Sequence, residues 1–140
     1  MNTIEKHSAG GVVIRNGEVL TLYVLGHHEV VFPKGTIEPG EQTETAAIRE
    51  VLEETGYHTE IVSHIDTKTY EFDEEGNHYR KTVDYYLMKL VDEDESPTPH
   101  RENYEDFKNL WIPLSEADSK LTHEANRALL KKARSIFLSK

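Results

Sequence analysis

Residues 35–57 read GTIEPGEQTETAAIREVLEETGY, and this stretch decides the fold. Pro39-Gly40 is a turn signal, apolar residues recur at helical spacing from about 42 to 55, and Gly56 is placed to stop the helix. At about 100° per residue, with Ala46 at zero, Ala47, Ile48, Val51 and Leu52 fall between about 100° and 240° as a core face. Glu50, Glu53 and Glu54 share a narrow arc between about 340° and 80°. Glu50 meets Glu53 at i,i+3 and Glu54 at i,i+4, where like charges repel. Two of the three lie in the last turn, where the helix dipole favours cations. A solvated acidic face is the ordinary explanation of a charge run. Hard oxygen ligands on a rigid element also suit Mg²⁺ or Mn²⁺, whose charge turns repulsion into coordination. Arg49, at about 300°, can orient a carboxylate from behind. Gly35 permits close backbone approach, so that its carbonyl can add an oxygen. Lys34 beside it offers a point charge suited to phosphate.

Upstream, residues 8–14 (SAGGVVI) and 18–25 (EVLTLYVL) predict two strands joined by Asn16-Gly17, a strong hairpin signal. Residues 30–32 form a short apolar run. Downstream, strands are expected at 60–68, 70–72 and 79–89, with a polar turn around 73–77, and a last short strand at 110–113. Residues 92–103 are acidic with two prolines and read as a surface loop. Thr122 is the expected cap of a final helix burying Ala125, Leu129, Ala133 and Ile136. Strands on both sides of one central helix, with a helix at the end, predict an α/β sandwich with a mixed sheet in one domain over residues 1–140.

The chain has 140 residues and a formal net charge of −10. That charge argues against duplex nucleic acid as a partner. Without cysteine there is no thiolate metal site or cysteine nucleophile. No stretch approaches a membrane span of about 20 apolar residues, so a cytoplasmic protein is expected. A polyphosphate approaching so acidic a protein needs divalent cations between the two.

Gly35, five residues, Glu41, seven residues, then Arg49-Glu50-Val51-Leu52-Glu53-Glu54-Thr55-Gly56-Tyr57 matches GX5EX7REUXEEXGU at every fixed position. The chain therefore resembles the Nudix hydrolases. The resemblance implies an α/β/α sandwich with the catalytic helix after a loop, and a Mg²⁺- or Mn²⁺-dependent pyrophosphohydrolase acting on a nucleoside diphosphate linked to another moiety. It implies that Glu50, Glu53, Glu54 and the Gly35 carbonyl bind the ions while Glu41 and Arg49 support the helix and its carboxylates. The general base is then Glu50 or, from a later loop, Glu105, which is also a candidate metal ligand. FPKGTIEPGE and the later KTVDYYLMK look like the small asymmetric diadenosine tetraphosphate hydrolases. That likeness implies phosphate contacts by Lys34 and Lys81 and an aromatic stacked on adenine. Tyr79 shares a strand face with Lys81 and is the candidate ring, and His28 is a candidate phosphate contact. The expected partner is a nucleotide or dinucleoside polyphosphate bound by a monomer. A nucleoside triphosphate, ADP-ribose or an inositol pyrophosphate as substrate, or a silent nucleotide-binding module, are the alternatives.

Overall fold

The computed structural model describes residues 2–93, 95–97 and 107–139. Strands β1 (Thr3–Arg15) and β2 (Glu18–Val24) form the expected hairpin, with φ of 49° at Asn16 and 77° at Gly17. Two positive φ values in succession give the tight turn whose twist matches that of the strands it joins. β2 is flanked by two antiparallel neighbours, β3 (Glu29–Val31) and β7 (Phe107–Pro113). β1 pairs antiparallel with β4 (Lys34–Thr36) through Ser8, Ala9 and Gly10 on one side and parallel with β6 (Asn77–Leu90), from Thr3 to Val13, on the other. β5 (Thr59–Glu74) runs antiparallel to β6 at the edge. The sheet is therefore mixed, in the order β3-β2-β1-β6-β5, with β4 and β7 joined at its sides.

Helix α1 (Thr43–Thr55) covers one face of the sheet, and α2 (Leu114–Lys120) and α3 (Glu124–Leu138) cover the other. Alternation along the strands supplies both cores. Val13, Leu20 and Met88 pack with Ala46, Ala47 and Val51 of α1. Val12, Val19, Val83 and Leu87 pack with Leu129, Leu130 and Ala133 of α3. This is the α/β/α arrangement expected from the sequence.

Three local readings change. β5 is one long strand where two were expected, because its pairing with β6 continues through Thr69, which lies opposite Thr82; the register shifts fall earlier, at Ile61/Ser63 and His64/Asp66. α2 was not foreseen: its seven residues bury one side chain, Ala117, too little to carry a periodic signal. The N-cap of α3 is His123, while the Thr122 hydroxyl accepts from the Val30 amide at 2.7 Å and ties the helix entry to β3. Residues 94 and 98–103 of the expected acidic loop lie outside the described residues.

Candidate active site

The acid-rich helix ends at Gly56, whose φ of 83° lets its amide return to the Leu52 carbonyl at 2.8 Å. Ala46, on the acid side of the helical wheel, is fully buried. The acid arc consequently faces protein. The Glu50 and Glu41 side chains are only 14% and 13% exposed, and Glu53 is 36% exposed. A solvated acidic surface does not describe these groups.

Arg49 organises them. Its Nε and Nη2 donate to the two Glu41 oxygens at 2.8 Å each, and Nη2 also donates to the Thr36 carbonyl at 3.0 Å. Nη1 donates to Glu50 Oε1 at 2.9 Å and to Glu53 Oε1 at 2.5 Å. The bidentate contact is the strong form of this pairing, and with the Glu38 amide it holds the Glu41 carboxyl down to about 2. One guanidinium thus ties the turn before the helix to two carboxylates on it.

Glu54 takes another partner: its Oε1 accepts from the Lys34 amide at 2.8 Å, clamping α1 to β4. Burial nevertheless pushes its carboxyl up to about 7, and burial raises Glu50 as well. Gly35 lies directly against Glu50. A Cβ there would stand 1.9 Å from Glu50 Oε2 and 2.1 Å from its carboxyl carbon. Only a residue without a side chain lets that carboxylate lie on the backbone.

Among the described residues no three acidic or imidazole side chains stand ready around one metal position, since Arg49 holds Glu50 and Glu53 and the Lys34 amide holds Glu54. The donor set still fits a hard divalent cation. It consists of carboxylates and a backbone carbonyl, and the Gly35 surface leaves room at Glu50 that a Cβ would fill. Glu50, Glu53, Glu54 and the Gly35 carbonyl are the groups that could hold it.

Beside these acids opens a cavity of about 510 Å³ on the α3 face of the sheet. Glu54, Lys34 and Lys81 line one part, and Tyr70, Phe72, Tyr85 and Phe107 supply an aromatic wall. His123 and Asn126, from the start of α3, close it. Lys34 and Lys81, the expected phosphate contacts, are brought together in this lining. Burial, and then the neighbouring Lys34, lower the Lys81 ammonium below its usual range.

Two expected ligand contacts are not part of this cavity. Tyr79 stacks on Phe72, with ring centres 5.1 Å apart and planes 16° from parallel, and Lys6 Nζ lies 5.4 Å from its centre. His28 sits in the turn between β2 and β3, its Nδ1 2.6 Å from the Tyr23 hydroxyl. Glu105 lies outside the described residues. Phe107, His123 and Asn126 were missed, because they approach from distant segments and carry no motif of their own.

Among the described residues no helix is long and apolar enough to cross a membrane. An α/β/α sandwich presenting an acid-rich helix to a cation-lined cavity defines the class, and the NUDIX domain pattern matches residues 5–133. The chain belongs to the NUDIX family. It is 34% identical over 143 residues to the "Putative mutator protein MutT4" of Mycobacterium tuberculosis (strain CDC 1551 / Oshkosh), covering 95% of this chain and 56% of that protein. It is 29% identical over 115 residues to the "8-oxo-(d)GTP phosphatase" of Mycolicibacterium smegmatis, covering 82% of this chain and 33% of that protein. The chain thus spans little more than half of the first relative and a third of the second. The crystal structure of an Ap4A hydrolase from C. elegans matches 96% of this chain and 99% of that one, with 29% identity and a TM-score of 0.69.

Proposed function

We propose that this chain is a divalent-cation-dependent pyrophosphohydrolase for a nucleoside diphosphate linked to another moiety, with diadenosine tetraphosphate, split into ATP and AMP, as its substrate. The observation that carries the reading is that Glu54, Lys34, Lys81 and an aromatic wall line one cavity. That combination suits an anionic chain attached to a flat ring. When bound, Mg²⁺ or Mn²⁺ supplies the positive charge that polarises phosphoryl oxygens and makes water a better nucleophile. Lys34 and Lys81 hold phosphate oxygens, and Phe72 and Phe107 hold the base and keep bulk water out. Glu50, raised by burial, is the general base that takes the proton of the attacking water; Glu105 is the alternative base. Arg49 is a positioning residue, acting through Glu50 and Glu53. The same reading takes residues 1–140 as one domain, working as a cytoplasmic monomer.

The structural neighbour named an Ap4A hydrolase supports this substrate. The mycobacterial relatives favour a second reading, in which a nucleoside triphosphate, ordinary or oxidised, fills the cavity. A Mg²⁺-supported panel of diadenosine tetraphosphate, nucleoside triphosphates, 8-oxo-dGTP and ADP-ribose in ¹⁸O-labelled water separates the two. Unequal cleavage of the tetraphosphate with the highest kcat/KM supports the first. Symmetric release of two diphosphates, or a higher kcat/KM for a triphosphate, removes it.

A further inference from the structure

The cavity's two lysines belong to a longer row. Lys6 of β1 is the register partner of Lys81 in the parallel pair, so their side chains leave the same face from backbones about 4.8 Å apart. Lys34 is paired with Gly10, four positions along β1 from Lys6, or about 13 Å. Lys6 lies close enough to Lys81 to help lower that ammonium. The other lysines and arginines of β5 and β6 are paired with acids: Lys68 reaches Asp66, Arg80 reaches Glu5, and Lys89 reaches Glu60. Among the described residues none of Lys6, Lys34 and Lys81 forms an ion pair, in a protein with ten more acids than bases. Glu54 offsets part of the charge of Lys34, and the like charges that remain are destabilising unless an anion completes them.

The outer member of the row is held in place. Lys6 sits over the Tyr79 ring, which is backed by Phe72, a cation–π contact that keeps the ammonium at the cavity rim. This accounts for Tyr79 better than base stacking, since its ring is already engaged by Phe72 and Lys6.

We propose that Lys6 extends the phosphate track of Lys34 and Lys81 beyond the cavity and makes this protein select for longer polyphosphate chains. The inference rests on the reading of the cavity as a polyphosphate site and specifies its ligand: a chain whose outer phosphates pass the rim. Lys6 binds those outer phosphates, while the inner lysines and the acidic helix engage the phosphates that every substrate shares.

The test is calorimetric binding of inorganic pyrophosphate, tripolyphosphate and tetrapolyphosphate at low ionic strength with chelator present, so that the lysine row alone is read. Wild-type affinity rises with chain length. Lys6→Ala weakens tetrapolyphosphate binding about fivefold more than pyrophosphate binding, roughly the effect of one exposed charge contact. Lys6→Arg restores the length dependence, and Lys131→Ala, an equal charge change on α3, leaves it as in the wild type. Affinity independent of chain length in the wild type, equal losses on all three anions, or the same effect from Lys131→Ala overturns the proposal. If no nucleotide is hydrolysed yet the length dependence holds, the hydrolase reading fails and the phosphate track stands. If nucleotides are hydrolysed without it, the reverse is true.

Discussion

Gly35 and Glu50 occupy one space, and a methyl group at position 35 would collide with the carboxylate. Gly35→Ala should therefore cost about 1–3 kcal/mol, the usual range for overpacking, and move Glu50 off the backbone. Urea midpoints and kcat should fall together, whereas a variant as stable and active as the wild type would show that Glu50 has another position available. Glu54 makes the opposite prediction. Its carboxylate is buried beside like charges, yet Glu54→Gln keeps an oxygen for the Lys34 amide. Stability measured at pH 8 without metal should be unchanged or higher, while Mg²⁺-supported turnover should drop on the order of 10²-fold. A loss of less than tenfold at saturating Mg²⁺ would put the catalytic cluster elsewhere.

The joint between β5 and α3 rests on Asp66, which accepts from Lys132 at 2.6 Å and pairs with Lys68 at 3.2 Å. Lys132 foremost holds the Asp66 carboxyl down to about 2, against 3.8 for an unperturbed aspartate. A depressed carboxylate stabilises the fold above its unfolded value and loses that contribution as pH falls through its folded value. Asp66→Asn is accordingly expected to cost about 1 kcal/mol at pH 7, with the gap to wild type closing between pH 4 and pH 2 in urea titrations. A gap constant over that range would assign the cost to packing. Elements with a strong local signal were legible in the sequence: the hairpin at Asn16-Gly17, and α1 with its acid arc and its Gly56 stop. Arg49 was legible as a supporter of carboxylates, though its simultaneous hold on Glu41, Glu50 and Glu53 was not. What failed depended on partners distant in the chain. Thr122 looks like a cap until Val30 is seen to claim its hydroxyl. Tyr79 looks like a base platform until Phe72 and Lys6 are found on its ring. Asn126 looks like any helical residue until the sheet places a cavity before it.

Taken whole, the molecule keeps an acidic helix and a row of lysines on neighbouring strands while carrying a net charge of −10. An anionic substrate can approach the acids only with cations in attendance. Exhaustive chelation should therefore abolish turnover, and Mg²⁺ or Mn²⁺ should restore it; hydrolysis undiminished after chelation would refute the metal requirement. The parallel pairing of β1 with β6 joins residues far apart in the chain: Glu5 and Arg80, 75 positions apart, meet at 3.0 Å. That pairing sets when the site can exist. A chain emerging from the ribosome can close its first hairpin early, but Lys81 reaches Lys34 and Lys6 only after β6 has docked, and the cavity stays open until the start of α3 is laid over it. Contacts of such long range are formed slowly and are absent from a partly folded chain. Nucleotide should then be a ligand of the finished protein alone. In stopped-flow experiments it should slow unfolding while leaving the refolding rate where it was.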